Sequence, residues 1–366
     1  MTENSKPDRV ELACYWLTCC INQGMVGLEN FVSLCQGIEN VLDASDEFIQ
    51  KAKGLSPKLK DQLIHTKDPK RLEEDYLHLS SRGISFVGQK NPRFPARLLK
   101  IQRCPFGLFY IGNLPENEKL SIAIVGARSA TPAGQEMARY FGKILAYNGI
   151  QVISGFAMGI DGNAHRGALE GSQKTWGVMG CGLNICYPKE NIGLFETMKT
   201  HGGLLSEFTL DEQPLAWHFP YRNRIISGLS DGILVVEARQ RSGSLITVQT
   251  GLDQGKDVFA IPGRPFDSLS AGCNSLIDEG AKLVTKPEDI LEEYHLTNKK
   301  PPQRQLTLNS REKDVYEALC LDTKSIEQIA RETGLGYAQT AKALTALTQK
   351  GLARSIGKNY YMIKQE

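Results

Sequence analysis

Glycine-rich turns close four or five separate strand-to-helix junctions between residues 154 and 274, and this repetition constrains the fold more than any other feature. The clearest examples are VISGFAMGIDGNAH (152–165), FPYRNRIISG (219–228), RSGSLIT (241–247) and IPG (261–263). A chain that returns to its sheet through a helix lays each strand parallel to the last, with helices covering both faces. In such sheets ligands collect beyond the carboxyl ends of the strands. The turns supply backbone amides and arginines, the groups a polyanion needs, and no obvious nucleophile, base or metal cage. That combination points to phosphate binding more than to bond breaking.

The alternation begins near Gly83. Strands are expected at 121–125, 152–154, 175–179, 203–206, 232–237 and 257–260, with helices at 132–147, 160–171, 191–201, 223–229 and 244–255. Residues 10–79 read instead as short helices, with prolines near two helix starts. Their turns at 24–27 and 54–56 match helix-hairpin-helix elements weakly, which serve either to hold a backbone phosphate or to pack a small helical module. After Tyr294 the stretch HLTNKKPPQRQLTLNS is polar and reads as a linker. Beyond it, helices at 312–319, 325–332 and 337–350 and a hairpin at 352–355 and 359–363 resemble a winged helix-turn-helix. The expected organisation is a helix-hairpin-helix or SAM-like domain over 1–82, an α/β domain over 83–297, a linker over 298–308 and a winged-helix-like domain over 309–366.

Charge does not announce the partner. With 43 basic and 41 acidic side chains the net charge is +2, so any anion site must be a local groove. Residues 309–366 hold nine basic and seven acidic groups, and the expected recognition helix has Lys342 as its internal cation. This balance favours a protein-contact or regulatory tail over a dominant duplex reader and leaves auxiliary DNA contact open. The nine cysteines form no CxxC pair and read as free thiols of a reducing compartment. No signal peptide, membrane span or metal site is expected, and the protein is placed in the cytoplasm without membrane insertion.

The junctions nominate the residues. In IVGARSATPAG (124–134), Gly126 turns the chain, Arg128 reaches an anion, and Ser129 or Thr131 caps the next helix; neither a dinucleotide fingerprint nor a Walker motif is present. Gly155 and Gly159 let backbone approach a ligand closely, with Ser154 just before them. Asp161 and His165 lie four apart on one helix face, a spacing that suits orienting the loop and pairing with each other, with ligand contact and proton transfer as alternatives. In MGCGLNICYPKEN, Tyr187 offers an aromatic face and Lys189 a charge. Arg222 and Arg224, flanking Asn223, cannot share a helical face; one is free for phosphate while the other pairs with Glu237 or Glu207. Ser242, Gly243 and Ser244 form a further anion nest with Thr247 one turn in.

As a set, VGARS, SGFAMGIDGNAH, GCGLNICYPKEN, GLLSEF, FPYRNRIISGLSDGILVVEA, RSGSLITVQTGLDQGKDVFAIPG and SAGCNSLIDEGA resemble the bacterial DNA processing protein A family, also called Smf, over about residues 110–285. The first loop reads GARS where GSR or GTR is usual. The resemblance implies an extended Rossmann-like, mostly parallel sheet, a homodimer and a non-enzymatic role without cofactor. It further implies binding of incoming single-stranded DNA in natural transformation, displacement of or coexistence with single-strand-binding protein, and help in loading the RecA recombinase. By that carry-over Arg128 and Lys189 are the preferred phosphate ligands, helped by Gly126 and by amides around Ser154 and Gly155. A nucleotide-phosphate hydrolase is the alternative; related phosphoribohydrolases use GGxGTxxE, whereas this chain has SGSLITVQT without the carboxylate.

Overall fold

A computed structural model describes residues 6–172, 174–299 and 308–364. The chain opens with α1 (Arg9–Cys19), α2 (Met25–Leu34), α3 (Asp46–Lys51), α4 (Pro57–Thr66) and α5 (Pro69–His78). Ser56 and Asp68 cap α4 and α5 by accepting backbone N–H bonds, each just before a proline that begins the helix. The apolar face of α1 does not close on the other helices alone. Tyr15 meets Tyr76, Phe86 and Phe109 edge-on at 5.5, 5.3 and 5.9 Å, so the helical segment and the adjoining sheet share one core. Glu11 is buried there, accepting from Gly88 N at 3.0 Å and from the Tyr76 hydroxyl at 3.3 Å, and burial raises its carboxyl pKa.

The sheet is built from β1 (Ser85–Gly88), β2 (Gly107–Gly112), β3 (Ser121–Val125), β4 (Gln151–Ser154), β5 (Thr175–Val178), β6 (Gly202–Ser206), β7 (Gly232–Val235), β8 (Asp257–Ala260) and β9 (Lys282–Leu283). Between and after them run α6 (Pro132–Tyr147), α7 (Ile160–Ser172), α8 (Ile192–Met198), α9 (His218–Gly228), α10 (Gly243–Asp253), α11 (Ala271–Asp278) and α12 (Glu288–Glu293). The nine-stranded order is β1-β2-β6-β5-β4-β3-β7-β8-β9. From β6 to β9 all pairs are parallel, and β3 to β7 are buried along their whole length, as strands covered on both faces must be. β1 and β2 add an antiparallel edge that the sequence reading missed, because a strand pair joined by a short 3-10 turn (Ala96–Lys100) in place of an α-helix breaks the alternation it relied on.

The chain builds outward from β3 through β4 and β5 to β6, then α9 carries it back to β7 on the other side of β3. The loops leaving β3 and β7 therefore part in opposite directions and open a crevice between them. Helices α6 and α7 lie against each other with almost no side-chain spacer: a Cβ on Gly167 or Gly171 would run into the Arg139 or Lys143 carbonyl of α6. Two mid-helix glycines, unfavourable by propensity, are explained by this approach.

Beyond the sheet, α13 (Ser310–Ala318), β10 (Lys324–Ser325), α14 (Ile326–Thr333), α15 (Tyr337–Gln349), β11 (Ala353–Ser355) and β12 (Tyr360–Ile363) enclose a small core of their own. Capping boxes start α13 (Asn309 with Glu312) and α14 (Ser325 with Gln328). The strands form a three-stranded sheet in the order β10-β12-β11, one strand more than the expected hairpin. Arg354 on β11 lies 3.7 Å from buried Glu136 on α6, and Arg264 pairs with Asp322. The expected linker falls largely on residues 300–307, outside the described residues.

Candidate functional site

A cleft of about 530 Å³ opens at the crevice, beyond the carboxyl ends of β3, β4, β5 and β7. Its cations come from two directions. Arg128, on the exposed loop after β3, lays its guanidinium over the Phe219 ring at 5.0 Å, and Tyr187 lies 5.6 Å from the same ring. Arg222 rises from α9 to form part of the floor, only 4% exposed. Its Nη1 donates to the Gly155 carbonyl at 2.7 Å and to the Val178 carbonyl, and Nε donates to Asn223 Oδ1 at 3.3 Å. Burial lowers its pKa to about 10, against the opposing pull of Asp161, so the group stays charged at neutral pH.

Asp161 stands in the first turn of α7, buried, with Oδ2 accepting from Ala157 N at 3.4 Å. Burial raises its carboxyl pKa, while Arg222 and then Arg128 act in the opposite direction. Gly155 is the hinge of this arrangement: a Cβ there would sit 2.7 Å from Asp161 Oδ2 and 2.9 Å from Arg222 Nη2. Its missing side chain thus makes room for two buried charges. Gly159, at φ +73°, presses against the Ala127 and Arg128 carbonyls, seating the start of α7 on the β3 loop that carries Arg128. Gly126 is needed for the same contact, since a Cβ would lie 2.6 Å from Ile160 Cγ1.

The opposite wall is the start of α10. Ser242 caps it, accepting from Ser244 N at 3.3 Å, and the two hydroxyls lie 2.7 Å apart. Asn223 Nδ2 donates to the Gly243 carbonyl at 3.4 Å, and Thr247 lines the cleft from the next turn. This wall offers hydroxyls and a helix start with no carboxylate of its own, chemistry suited to an anion.

Several expected roles are corrected. Arg224 is not at the cleft: its Nη2 lies 2.7 Å from both oxygens of buried Glu207, and Nε donates to the Arg103 carbonyl at 3.0 Å. Its helical position turns it toward the interior, away from Arg222. Ser154 is fully buried in β4, where its hydroxyl donates to the Ile124 carbonyl at 2.6 Å, so that hydroxyl is not directed at the cleft. Asp161 and His165 do not pair. His165 Nδ1 bonds the Thr175 hydroxyl at 2.8 Å, and complete burial pushes the imidazole down to about 3, leaving it neutral. Glu237 takes no arginine; it accepts from Thr131 N at 2.9 Å and from the Thr131 hydroxyl at 2.5 Å, tying the end of β7 to the cap of α6. Lys189 is exposed on a 3-10 turn (Lys189–Asn191) outside the cleft lining. Phe219 and the wall residues Pro214 and Ala216 were not singled out; the alternation of Trp217, Phe219 and Tyr221 before the arginines was the available signal.

Among the described residues no group of three or more His, Cys, Asp or Glu side chains could hold a metal ion. No described helix is long and apolar enough to cross a membrane.

Residues 85–295 match the family model described as DNA recombination-mediator protein A. The DNA processing protein DprA of Streptococcus pneumoniae is 42% identical over 237 residues, covering 62% of this chain and 83% of that protein. The X-ray structure of DprA from Streptococcus pneumoniae has a TM-score of 0.67 at 34% identity and covers 79% of this chain and 99% of that one. The DNA processing protein A of Helicobacter pylori, solved for its single-stranded DNA binding mode, has a TM-score of 0.52 at 26% identity and covers 58% of this chain and 95% of that one. The family match spans the sheet and every loop that lines the cleft, and the chain belongs to the bacterial DNA processing protein A (DprA/Smf) family.

Proposed function

We propose that this chain is a single-stranded DNA-binding recombination mediator that protects incoming DNA and helps load the RecA recombinase during natural transformation. The observation that carries this reading is the cleft, where Arg128 and Arg222 stand beside the exposed Tyr187 ring and Phe219 at a topological switch point. Cations and hydroxyls suit the phosphates, while rings suit unpaired bases. A duplex keeps its bases stacked inside, where such rings cannot reach them. The family is one of mediators, not enzymes, and the relative from Helicobacter pylori is described by its single-stranded DNA binding mode.

Within this reading Gly126, Arg128, Gly155, Arg222 and the loop 242–244 form the strand site, with Lys189 continuing it along the surface. The central sheet is an extended Rossmann-like domain over 83–297, preceded by the helical domain and joined by the 298–308 linker to a winged-helix domain over 309–366. The protein works in the cytoplasm as a homodimer, on strands that single-strand-binding protein also covers.

The test is fluorescence anisotropy with matched single- and double-stranded oligonucleotides over a salt series. A single-strand preference is expected, with log affinity falling by roughly 0.7 per neutralised phosphate for each decade of salt. Equal affinity for both forms, or none at low salt, refutes the reading. The loading role predicts faster RecA filament nucleation on DNA coated with single-strand-binding protein; an unchanged lag refutes that part alone.

A further inference from the structure

Lys189 sits outside the cleft lining, on a 3-10 turn just beyond Tyr187, which does line the cleft. A lysine is a point charge on a flexible stem, so what it reaches depends on where its backbone is held. The turn is held through Asn191, only 3% exposed, whose backbone N–H closes it by donating to the Pro188 carbonyl at 3.1 Å.

Both polar atoms of the Asn191 side chain find partners outside that turn. Oδ1 accepts from Arg166 Nη2 of α7 at 2.9 Å, and Nδ2 donates to the Phe156 and Ala157 carbonyls at 3.1 and 3.2 Å. The two carbonyls belong to the loop after β4, and Ala157 lines the cleft. Phe156 has φ +59°, a left-handed backbone that a bulky residue keeps only where its surroundings hold it. Here they do: its buried ring lies 6.0 Å from those of His165 on α7 and Phe195 on α8, and its carbonyl is taken by Asn191. The Ala157 N–H donates to Asp161 at 3.4 Å, so one loop is gripped by the Lys189 turn and by the carboxylate that faces Arg222 and Arg128.

The charges explain why this group is an amide. Burial first, then Arg139 and Arg354, lower the pKa of Arg166, and a carboxylate at 191 would answer that cation more strongly than Oδ1 does. It would also set oxygen against the Phe156 and Ala157 carbonyls and bring negative charge beside Lys189. A neutral group that both accepts and donates makes all three contacts and leaves the lysine charge uncancelled. We propose that Asn191 is a positioning residue for strand binding, locking the Lys189 turn to the cleft loop so that Lys189 and the cleft hold one continuous stretch of single strand. This inference rests on the single-stranded DNA reading above.

The test titrates labelled oligothymidylate with the full chain over a salt series, comparing Asn191→Ala, Lys189→Ala and the double variant by anisotropy. Asn191→Ala removes no charge, yet it is expected to weaken binding roughly ten-fold and to lower the salt slope by roughly 0.7, the share of one phosphate. Adding Lys189→Ala should lower the slope no further, whereas adding Arg128→Ala should subtract its own roughly 0.7. A residue that only holds the fold would lower the denaturation midpoint and leave the slope of the folded protein unchanged. That result, a second slope loss on adding Lys189→Ala, or a slope indifferent to Lys189→Ala alone overturns the inference and leaves the single-strand reading intact. Absence of any binding by the unaltered chain overturns both. If Asn191→Ala does not fold, Asn191→Asp keeps the Arg166 contact and gives up both donations; Lys189→Ala should then add no slope loss to it, and a further loss overturns the inference.

Discussion

On the cleft side of α9, buried Arg222 gives its hydrogen bonds to neutral carbonyls and shares the single carboxylate of Asp161 with Arg128; on the interior side, Arg224 closes on Glu207 in a pair of its own. One helix thus carries two arginines into two electrostatic regimes. Two cations facing one carboxylate leave an excess of positive charge for a ligand to neutralise. One cation facing one carboxylate leaves none, and the pair serves only to hold β6 and α9 together. The difference explains why adjacent arginines in one motif need not share a function.

The sharpest way to break this comparison is to remove each arginine in turn. Arg224→Ala strands a buried Glu207 charge and is expected to cost about 3–5 kcal/mol of stability, seen as a large drop in the denaturation midpoint. The affinity of whatever fraction remains folded should be unchanged. A variant that keeps its stability but loses DNA would place Arg224 in the site after all.

Arg128→Ala should show the reverse profile. Its side chain is exposed, so stability should move by less than about 0.5 kcal/mol, while single-strand affinity falls by about 1.5–3 kcal/mol and the salt slope by roughly 0.7. Adding Lys189→Ala is expected to bring the slope change to roughly 1.4. Anisotropy over a salt series measures both; an unchanged double variant would remove the cleft from the strand path.

His165 sharpens the contrast on α7, one turn from Asp161 but facing Thr175. Its folded pKa of about 3 lies below the ordinary 6.5, so the unfolded chain binds the extra proton first as pH falls. Its contribution is whole above 6.5, erodes as pH drops toward 3, and by about pH 5 has fallen by roughly 2 kcal/mol. Chemical denaturation at several pH values should show this limb, and His165→Gln should flatten it. A limb that persists in His165→Gln would assign the titration to another group.

The smallest effect is expected from deleting residues 298–366. The terminal module has its own core and meets the sheet through Arg354–Glu136 and the exposed Arg264–Asp322 pair, so the remaining chain should stay folded, dimerise and bind within about 0.5 kcal/mol of the full protein. Scattering and anisotropy on the truncated chain check this. Loss of DNA binding by a truncation that is still folded would move the ligand to the tail.

Legibility followed the range of the interactions involved. Local caps and periods were readable: 132–147 and 257–260 match α6 and β8 at both ends, and the helix expected over 325–332 lies within one residue of α14 at each end. The antiparallel β1 and β2 were not, because β1 pairs with β2 and the sheet partner of that pair, β6, is distant in sequence, so no local pattern encodes where it docks. In the cleft, Arg128 and the 242–244 loop could be nominated from their junctions, whereas Ser154 turned inward because its neighbour β3 offered the Ile124 carbonyl.

The sequence by itself determined the alternation of strands and helices from β3 to β8, the parallel sheet and the edge of that sheet where a site is expected, since all three follow from hydrophobic period, turn chemistry and chain direction. It also carried the family. Only the tertiary structure decided which charges line the cleft and which face each other. Arg222 and Arg224, and Asp161 and His165, differ in what the folded chain packs opposite them, and that packing depends on residues brought together from β4, β5 and the turn after β6. Side-chain spacing sets direction within one helix, but the energy of a buried charge is set by its partners across the fold.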